Sequence, residues 1–351
     1  MSKLLTISIA AYNVEKTIEE CLDSFLTCKY LNELEILVIN DGSKDRTAEI
    51  VSNYEQRYPG IIYLINKENG GHGSTINKSL SLATGKFYKV IDGDDWVNAK
   101  ELDKLVECLS GTNAELVIND YMEVYPDHTS RISLRNGYHD EKIYKFEDLF
   151  VDIVHLRNIF AMHSSTILTQ RLRDVNMSIT EHCYYADTEY VYFIELAART
   201  VLFNDSCIYQ YRLGQAGQSV SPEGTYKHVE DMIKIELNLM RMYIEDVKSL
   251  DSEVRKKYLF VIISTRYNML FDWFINIIKK SDKDHYLIDF LDEVHSKYPE
   301  IEKVTRIEPE YRVILRFPKL MIPLMRMILP NLKKSPLRAE FKKIKQSLCK
   351  K

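Results

Sequence analysis

The first thing missing from this sequence is any informative cysteine spacing. Six cysteines are present (Cys21, Cys28, Cys108, Cys183, Cys207, Cys349), and no two stand as a metal knuckle or a redox pair would. Six free thiols in a reducing compartment is the reading that follows. No stretch reaches the roughly 18 uninterrupted apolar residues that a membrane span requires. The chain opens on Lys3 and a strand-like run without a secretory leader, so a cytoplasmic protein is expected. There is no internal repeat and no low-complexity linker. Neither G-x-G-x-x-G nor G-x-x-x-x-G-K-[ST] occurs, which excludes the dinucleotide fingerprint and the P-loop.

What is present is ordinary globular composition: 351 residues, 45% apolar and 28% charged. That is enough chain for one large core or two domains. The net charge of −4 conceals an asymmetry. Residues 311–351 hold twelve Lys or Arg against the single acid Glu340, a tail of about +11 on a body of about −15. An acidic body argues against nucleic acid as a partner, and a basic tail points to an anionic surface.

The first 120 residues alternate between a strand period and a helical one. Strands are expected at 4–10, 35–40, 61–65 and 87–91, with a fifth at 116–118. Between them Ile18, Leu22, Phe25 and Leu26 recur at helical spacing, and helices are expected from about Asp45 to Tyr54 and from Ser74 to Ala83. Such alternation with short links implies right-handed βαβ units, hence an α/β fold with a mostly parallel, Rossmann-like sheet flanked by helices. In these sheets ligands bind outside the carboxyl ends of the strands. The polar clusters fall there: Ala11-Tyr12-Asn13, Asn40 to Ser43, Asn66 to Gly73, and Asp92 to Trp96.

Asp92-Gly93-Asp94-Asp95 carries the strongest chemistry. Three carboxylates within four residues repel one another unless a cation or partner neutralises them. Hard oxygen ligands suit Mn²⁺ or Mg²⁺, with diphosphate oxygens completing the shell. Gly93 permits a tight turn and close ligand approach. A solvated acidic turn capping the next helix is the plainer alternative. Asp41 can accept hydrogen bonds from a base or ribose, or else form an Asx turn. The glycines of Asn69-Gly70-Gly71-His72-Gly73 let a ligand near the backbone at a helix N-terminus.

Taken together, Thr6 to Asn13, Ile36 to Asp45, Asn69-Gly70-Gly71 with Asn77, and Ile91 to Trp96 resemble the inverting glycosyltransferase family 2, over roughly residues 4–220. The resemblance implies the GT-A fold and a UDP-sugar donor. It implies that Ala10, Tyr12 and Asn13 line the nucleotide, that Asp41 contacts the uracil, and that Gly70, Asn77 and Gly93 belong to the donor site. It further implies that Asp92 lies near the ribose, that Asp94 reaches the metal, and that Asp95 supports the site. Many members have Pro where Ala10 stands here.

Inversion needs a carboxylate to take the acceptor hydroxyl's proton. Similar transferases supply it from an acidic motif at about the distance of Ala186-Asp187. Asp187 is therefore expected as the base and Glu189 as the second candidate, although Asp187 could equally cap the helical stripe that follows. His163 and His182 could line the acceptor pocket but are read as structural. Arg212, in Tyr209-Gln210-Tyr211-Arg212, could contact a diphosphate or lie on the surface.

From about 226 to 300 the pattern is helical, with Ile233, Leu237, Met240 and Ile244 in one stripe and a mostly apolar helix from Tyr258 to Ile278. From Phe317 to Leu348 apolar and basic residues interleave, broken into short pieces by Pro318, Pro323, Pro330 and Pro336. Two readings fit: an interfacial segment on anionic lipid, which would hold the protein at the inner face of the cell membrane, or helices packed on the domain. The expected division is a GT-A catalytic domain over 1–225, a helical region over 226–310 and a basic amphipathic tail over 311–351. The expected activity is metal-assisted transfer from a UDP-sugar to a glycan or polyprenyl-linked acceptor with inversion. The competing readings are a nucleotidyltransferase, whose Gly-rich loop after the first strand is missing, and a catalytically silent binding subunit.

Overall fold

The computed structural model describes residues 3–134, 138–139, 142–149, 160–215, 218–219, 221–278, 281–304, 314 and 317–333. The chain divides into two compact units: Met1–Gln218 with Met242–Ile262, and Ser219–Arg241 with Ile263–Lys351.

The first unit is built on one ten-stranded sheet. Strands β1 (Leu5–Ala11), β2 (Leu34–Asp41), β3 (Ile62–Lys67) and β4 (Phe87–Asp92) pair in parallel in the order β3-β2-β1-β4. All eight residues of β2 are buried, as a strand covered on both faces requires. The helices that return the chain are α1 (Ile18–Leu26), α2 (Thr47–Arg57) and α3 (His72–Leu82). Helix α1 buries Ile18, Leu22 and Phe25 of the expected stripe together with Cys21, while Leu26 is half-buried. After β5 (Trp96–Val97), Asn98 starts α4 (Ala99–Gly111) by accepting bonds from the Lys100 and Glu101 amides.

Beyond β4 the architecture departs from simple alternation. The fifth expected strand runs on to Val124 as β6 (Leu116–Val124), because it pairs with β7 (Thr129–Ile132) as well as with its sheet neighbours. After β8 (Ile143–Lys145) comes β9 (Ser165–Leu168), which inserts antiparallel between β4 and β6. Helices α5 (Thr169–Asp174) and α6 (Asp187–Ala197) lead to β10 (Thr200–Arg212), a long strand in the stretch read as mixed. It is parallel to β6, with register shifts between Asn204 and Tyr209. Since β9 opposes both β4 and β6, those two share a direction, and β10 follows it. The carboxyl ends of β1, β2, β4 and β10 and the amino end of β9 therefore lie at one edge of the sheet. Cys21, Cys28, Cys108, Cys183 and Cys207 carry free thiols, and Cys349 falls outside the described residues.

The helices of the C-terminal region are α7 (Pro222–Lys227), α8 (Val229–Asp246), α9 (Glu253–Asp272, continued by a π-helical Trp273–Ile277), α10 (Asp284–Lys297), α11 (Pro299–Val304) and α12 (Pro318–Lys333). In α8 the stripe is shifted from the expected one. Met232, Ile235 and Leu239 are buried beside Ile233 and Met240, while Leu237 and Ile244 are only half-buried. The apolar helix expected from Tyr258 begins earlier, at Glu253. Pro318, Pro323 and Pro330 do not break residues 318–333 into pieces; all sit in α12. Pro318 occupies the first helical position, where no amide bond is lost, and the carbonyl that Pro323 leaves free belongs to the exposed Lys319. Pro336 and the rest of the tail lie outside the described residues. Among the described residues, no helix is long and apolar enough to cross a membrane.

Candidate active site

The site starts where β1 and β4 end side by side. Ala10 is the register partner of Asp92. The Gly93 amide donates to the Ala10 carbonyl at 2.9 Å, and a Cβ on Gly93 would meet that same oxygen at 2.9 Å. The turn is thus closed to any larger residue without backbone movement. Thr17 Oγ1 donates to the Gly93 carbonyl and the Asp95 amide to the Asp92 carbonyl, so the acidic turn is held rigidly.

The three acids have unlike surroundings. Asp95 is buried and accepts from the Tyr209 hydroxyl at 2.6 Å and the Arg212 amide at 2.7 Å. Burial, with Asp92 and Asp94 alongside, pushes its carboxyl up to about 8. Asp94 is part-exposed; burial and Asp92 push it up to about 6. Asp92 goes the other way. Burial would raise it, but His72, whose Nε2 lies 2.9 Å from its Oδ1, outweighs that and holds the carboxyl below its ordinary value. His72 in turn is pulled down by burial yet raised overall by Asp92.

His163 reaches the same place from the entry to β9. Its ring lies against Tyr121, Tyr209 and Tyr211, with centroids 5.3, 4.6 and 4.3 Å away. Burial lowers it to about 4, leaving a neutral imidazole with a free lone pair at neutral pH. Its backbone is anchored by Lys89, a fully buried strand lysine donating to the His163 carbonyl at 2.9 Å and the Ser165 carbonyl at 3.3 Å. Burial lowers the Lys89 ammonium to about 7. One ligand atom each from Asp92, Asp95 and His163 lies within 4.8 Å of the others, a grouping that could hold a metal ion. Two carboxylates this close, Asp95 raised by burial and by Asp92, and a neutral imidazole form a donor set that a divalent cation would relieve. Asp94, the residue expected to reach the metal, is next in the chain but outside that trio.

Arg212 braces this turn. Its guanidinium donates to the Asp94 carbonyl at 2.8 Å and to Glu20 at 2.6 Å and stacks 4.5 Å from the Trp96 ring. It is therefore no loose surface arginine. Tyr211, one residue earlier, has its hydroxyl raised by burial and by the nearby charges of Asp92, Asp95, Asp187 and Asp94.

Asp41 is buried at the end of β2 and accepts from Lys67 Nζ (2.7 Å) and from the Gly70 (2.9 Å) and Gly71 (2.8 Å) amides. It ties down the glycine loop, an arrangement that the strand pattern did not reveal. Tyr12 and Asn13 are exposed beside it; the Asn13 side chain accepts from the Lys44 amide, and Asn13 itself sits at φ +53°. Asn77 lies on the next turn of α3 with its amide paired to Ile179 in both directions, at 2.8 and 2.9 Å, and to Glu181 at 3.1 Å. Gly70 completes this seam by accepting from the His182 amide.

That seam positions the 179–186 loop, in which His182 and Tyr185 adopt positive φ of 51° and 64°. Non-glycine residues held there store strain. The loop delivers Asp187 as the first residue of α6, part-exposed, with no side-chain cap bond at that terminus and no hydrogen bond to its carboxylate from any described residue. Its charge acts on His72, His163 and Tyr211, so it faces the acidic cluster. Glu189, the second candidate, is fully buried and spends both oxygens on Thr180, at 2.7 and 2.9 Å. It fastens the loop and is closed to a substrate hydroxyl. His163, read from the sequence as structural, sits beside the acids, and His72, Tyr209 and Lys89 are the residues that sequence reasoning missed. The one local signal was Lys89, a charge inside an otherwise apolar strand.

A mostly parallel sheet whose fourth parallel strand exits into an acidic turn, opposite a glycine loop and an acid-led helix, is the GT-A architecture. The chain matches glycosyl transferase family 2 over residues 6–165. It is 39% identical over 107 residues to the uncharacterized glycosyltransferase EpsJ of Bacillus subtilis (strain 168), covering 30% of each chain. It is 26% identical over 257 residues to an uncharacterized glycosyltransferase of Haemophilus influenzae, covering 71% of this chain and 78% of that one. The chain thus matches less than a third of EpsJ's length. Among solved structures it resembles residues 1–349 of S. aureus TarS in complex with UDP-GlcNAc, with TM-score 0.68, 17% identity, and 94% and 92% of the two chains covered. It also resembles the mannosyltransferase PcManGT of Pyrobaculum calidifontis in complex with GDP-Man and Mn²⁺, with TM-score 0.50, 15% identity, and 93% and 85% covered.

Proposed function

We propose that this chain transfers a sugar from a UDP-sugar to a hydroxyl of a glycan or polyprenyl-linked acceptor, with inversion and with Asp187 as the general base. The observation that carries this is the placement of Asp187. A carboxylate free of hydrogen bonds faces the acidic turn across one crevice, where an acceptor hydroxyl could lie between it and a donor sugar. The acceptor oxygen gives its proton to Asp187 and bonds to the sugar's anomeric carbon from one face. The bond from that carbon to the diphosphate breaks on the other, and UDP leaves with the electron pair.

The remaining residues orient and balance charge. Ala10, Tyr12, Asn13, Asp41, Gly70, Asn77, Asp92 and Gly93 are assigned to the donor site, several of them through the loop they hold. For Asp41 and Asn77 that means shaping the crevice walls, since their polar atoms are engaged with the chain. A divalent cation, Mn²⁺ or Mg²⁺, held by Asp94 with Asp92, Asp95 and His163 beside it would offset charge on the departing diphosphate. The UDP-GlcNAc complex of TarS supports a uridine nucleotide as donor. The basic tail is assigned an anionic membrane surface as second partner, the kind of surface on which a lipid-linked acceptor resides.

The test is release of UDP from a panel of UDP-sugars with Mn²⁺, with and without membrane extract, by the unaltered chain, Asp94→Ala and Asp187→Ala. Release from one donor that rises with extract and is lost in both variants is expected. A chain that binds donor and releases nothing under any condition would favour the silent-subunit reading, and release of pyrophosphate the nucleotidyltransferase.

A further inference from the structure

We infer that the outer face of α12 is a docking surface for an anionic lipid bilayer. This deepens the partner reading given for the tail and does not depend on the transfer chemistry. Within its own unit α12 buries Ile322 and Met325. Arg326 fixes its rotation, donating to the Phe274 carbonyl at 2.9 Å and pairing with Asp284. What then faces outward is apolar. Phe317 is 56% exposed, Leu320 68%, Leu324 40% and Met327 72%. With Pro323, also exposed, they fall within an arc of about 120° at a helical rotation of about 100° per residue.

Single exposed apolar residues are normal; a row of them on one face is not. Only eight large hydrophobic residues are exposed among the described residues, and four of them belong to this row. Chemistry selects the occupant. Lys319 borders the face, and residues 333–351, which directly follow Leu332, carry eight Lys or Arg and one acid. A second copy docked on the same face would bring two such cationic segments together. An anionic bilayer matches the charge and also accepts the apolar row, each basic residue near such a surface adding to the attraction.

The experiment is flotation of the full chain, without donor, with phosphatidylcholine vesicles that contain or lack phosphatidylglycerol. Two variants accompany it: Leu320→Glu with Met327→Glu, and truncation after Lys333. The full chain is expected to float with the anionic vesicles, less at high salt, and to stay behind with the neutral ones. Each variant should lower the bound fraction about tenfold or more. The double variant should keep its melting temperature and its donor turnover, since both side chains are exposed and lie outside the catalytic crevice. Equal binding to neutral vesicles, no binding to either, or undiminished flotation of the double variant overturns the inference. A concentration-dependent dimer that the double variant abolishes would overturn it in favour of a second copy. Because binding is read without donor, failure of the transferase reading leaves this result standing, and the reverse holds as well.

Discussion

At the scale of single residues, the division of labour among acids follows from what each touches. Glu189, the second candidate for the base, is committed to Thr180, whereas Asp187 has nothing to hold. Asp187→Asn keeps size and helix start while removing the base. Transfer measured by UDP release should fall about 100- to 10,000-fold, with the dissociation constant for UDP little changed. A variant retaining more than a tenth of the activity would remove Asp187 from that role. The acidic turn also yields a pH signature. Asp95 and Asp94, raised to about 8 and about 6 from 3.8, hold protons in the folded chain that the unfolded chain has released. Their contribution to the metal-free fold is full at low pH and is lost as pH rises from about 4 through about 8. Lys89, lowered to about 7 from 10.5, runs oppositely: stability rises with pH between those values because the unfolded chain still holds its proton. The increment in Tm caused by Mn²⁺ is largely free of the lysine, which is present with and without metal. By differential scanning fluorimetry it should be larger at about pH 8 than at about pH 5.5, since ligands must shed protons to bind. An increment independent of pH would place the cation elsewhere.

At the scale of elements, the 179–186 loop is attached to α3 by a seam that tolerates little. A Cβ on Gly73 would lie 2.3 Å from the Thr180 carbonyl, backbone against backbone. Gly73→Ala should lower Tm by roughly 3–10 °C, checked by thermal melting; an unchanged melt would mean that the loop is free to lift. Asn77→Ala removes the paired bonds to Ile179 without adding bulk. It should lower kcat roughly tenfold, with faster proteolytic nicking near residue 182 as the independent readout. Much at this scale was legible. The parallel strands β1 to β4 and helices α1 to α3 fall within a few residues of their expected places, since the strands are short apolar runs and the helices carry apolar stripes, both formed by neighbours in sequence. The strand β9 was not legible, because nothing in Ser165-Thr166-Ile167-Leu168 states which strands it will separate.

At the scale of the molecule, helix α6, which opens on the proposed base, is held from its far end. Arg255, buried on α9, donates to the Glu195 and Leu196 carbonyls at 2.8 and 2.9 Å, closing the C-terminus of α6, and packs 4.3 Å over Phe146. A cation there satisfies orphan carbonyls and complements the helix dipole. Its contact with the exposed Glu147 adds little. Arg255→Leu should cost about 2–3 kcal/mol, seen as a lower urea midpoint with an unchanged slope. A midpoint within error of the parent would show that the carbonyls find water instead.

By itself the sequence determined the four parallel strands, the order of their polar exits, the acidic turn and the acid that opens α6. These are local patterns, written by residues that act close to where they stand. Only the tertiary structure decided that β9 runs against its neighbours, and hence that His163 at its start and Tyr209, Tyr211 and Arg212 at the end of β10 meet Asp92, Asp94 and Asp95. It also decided that Asp41 and Asn77 spend their polar atoms on loops rather than leaving them open. The physical reason is the same in each case. A side chain's partner across a sheet or between loops is fixed by strand order and direction, and these are settled by the burial of the whole sheet, not by the spacing of residues along the chain.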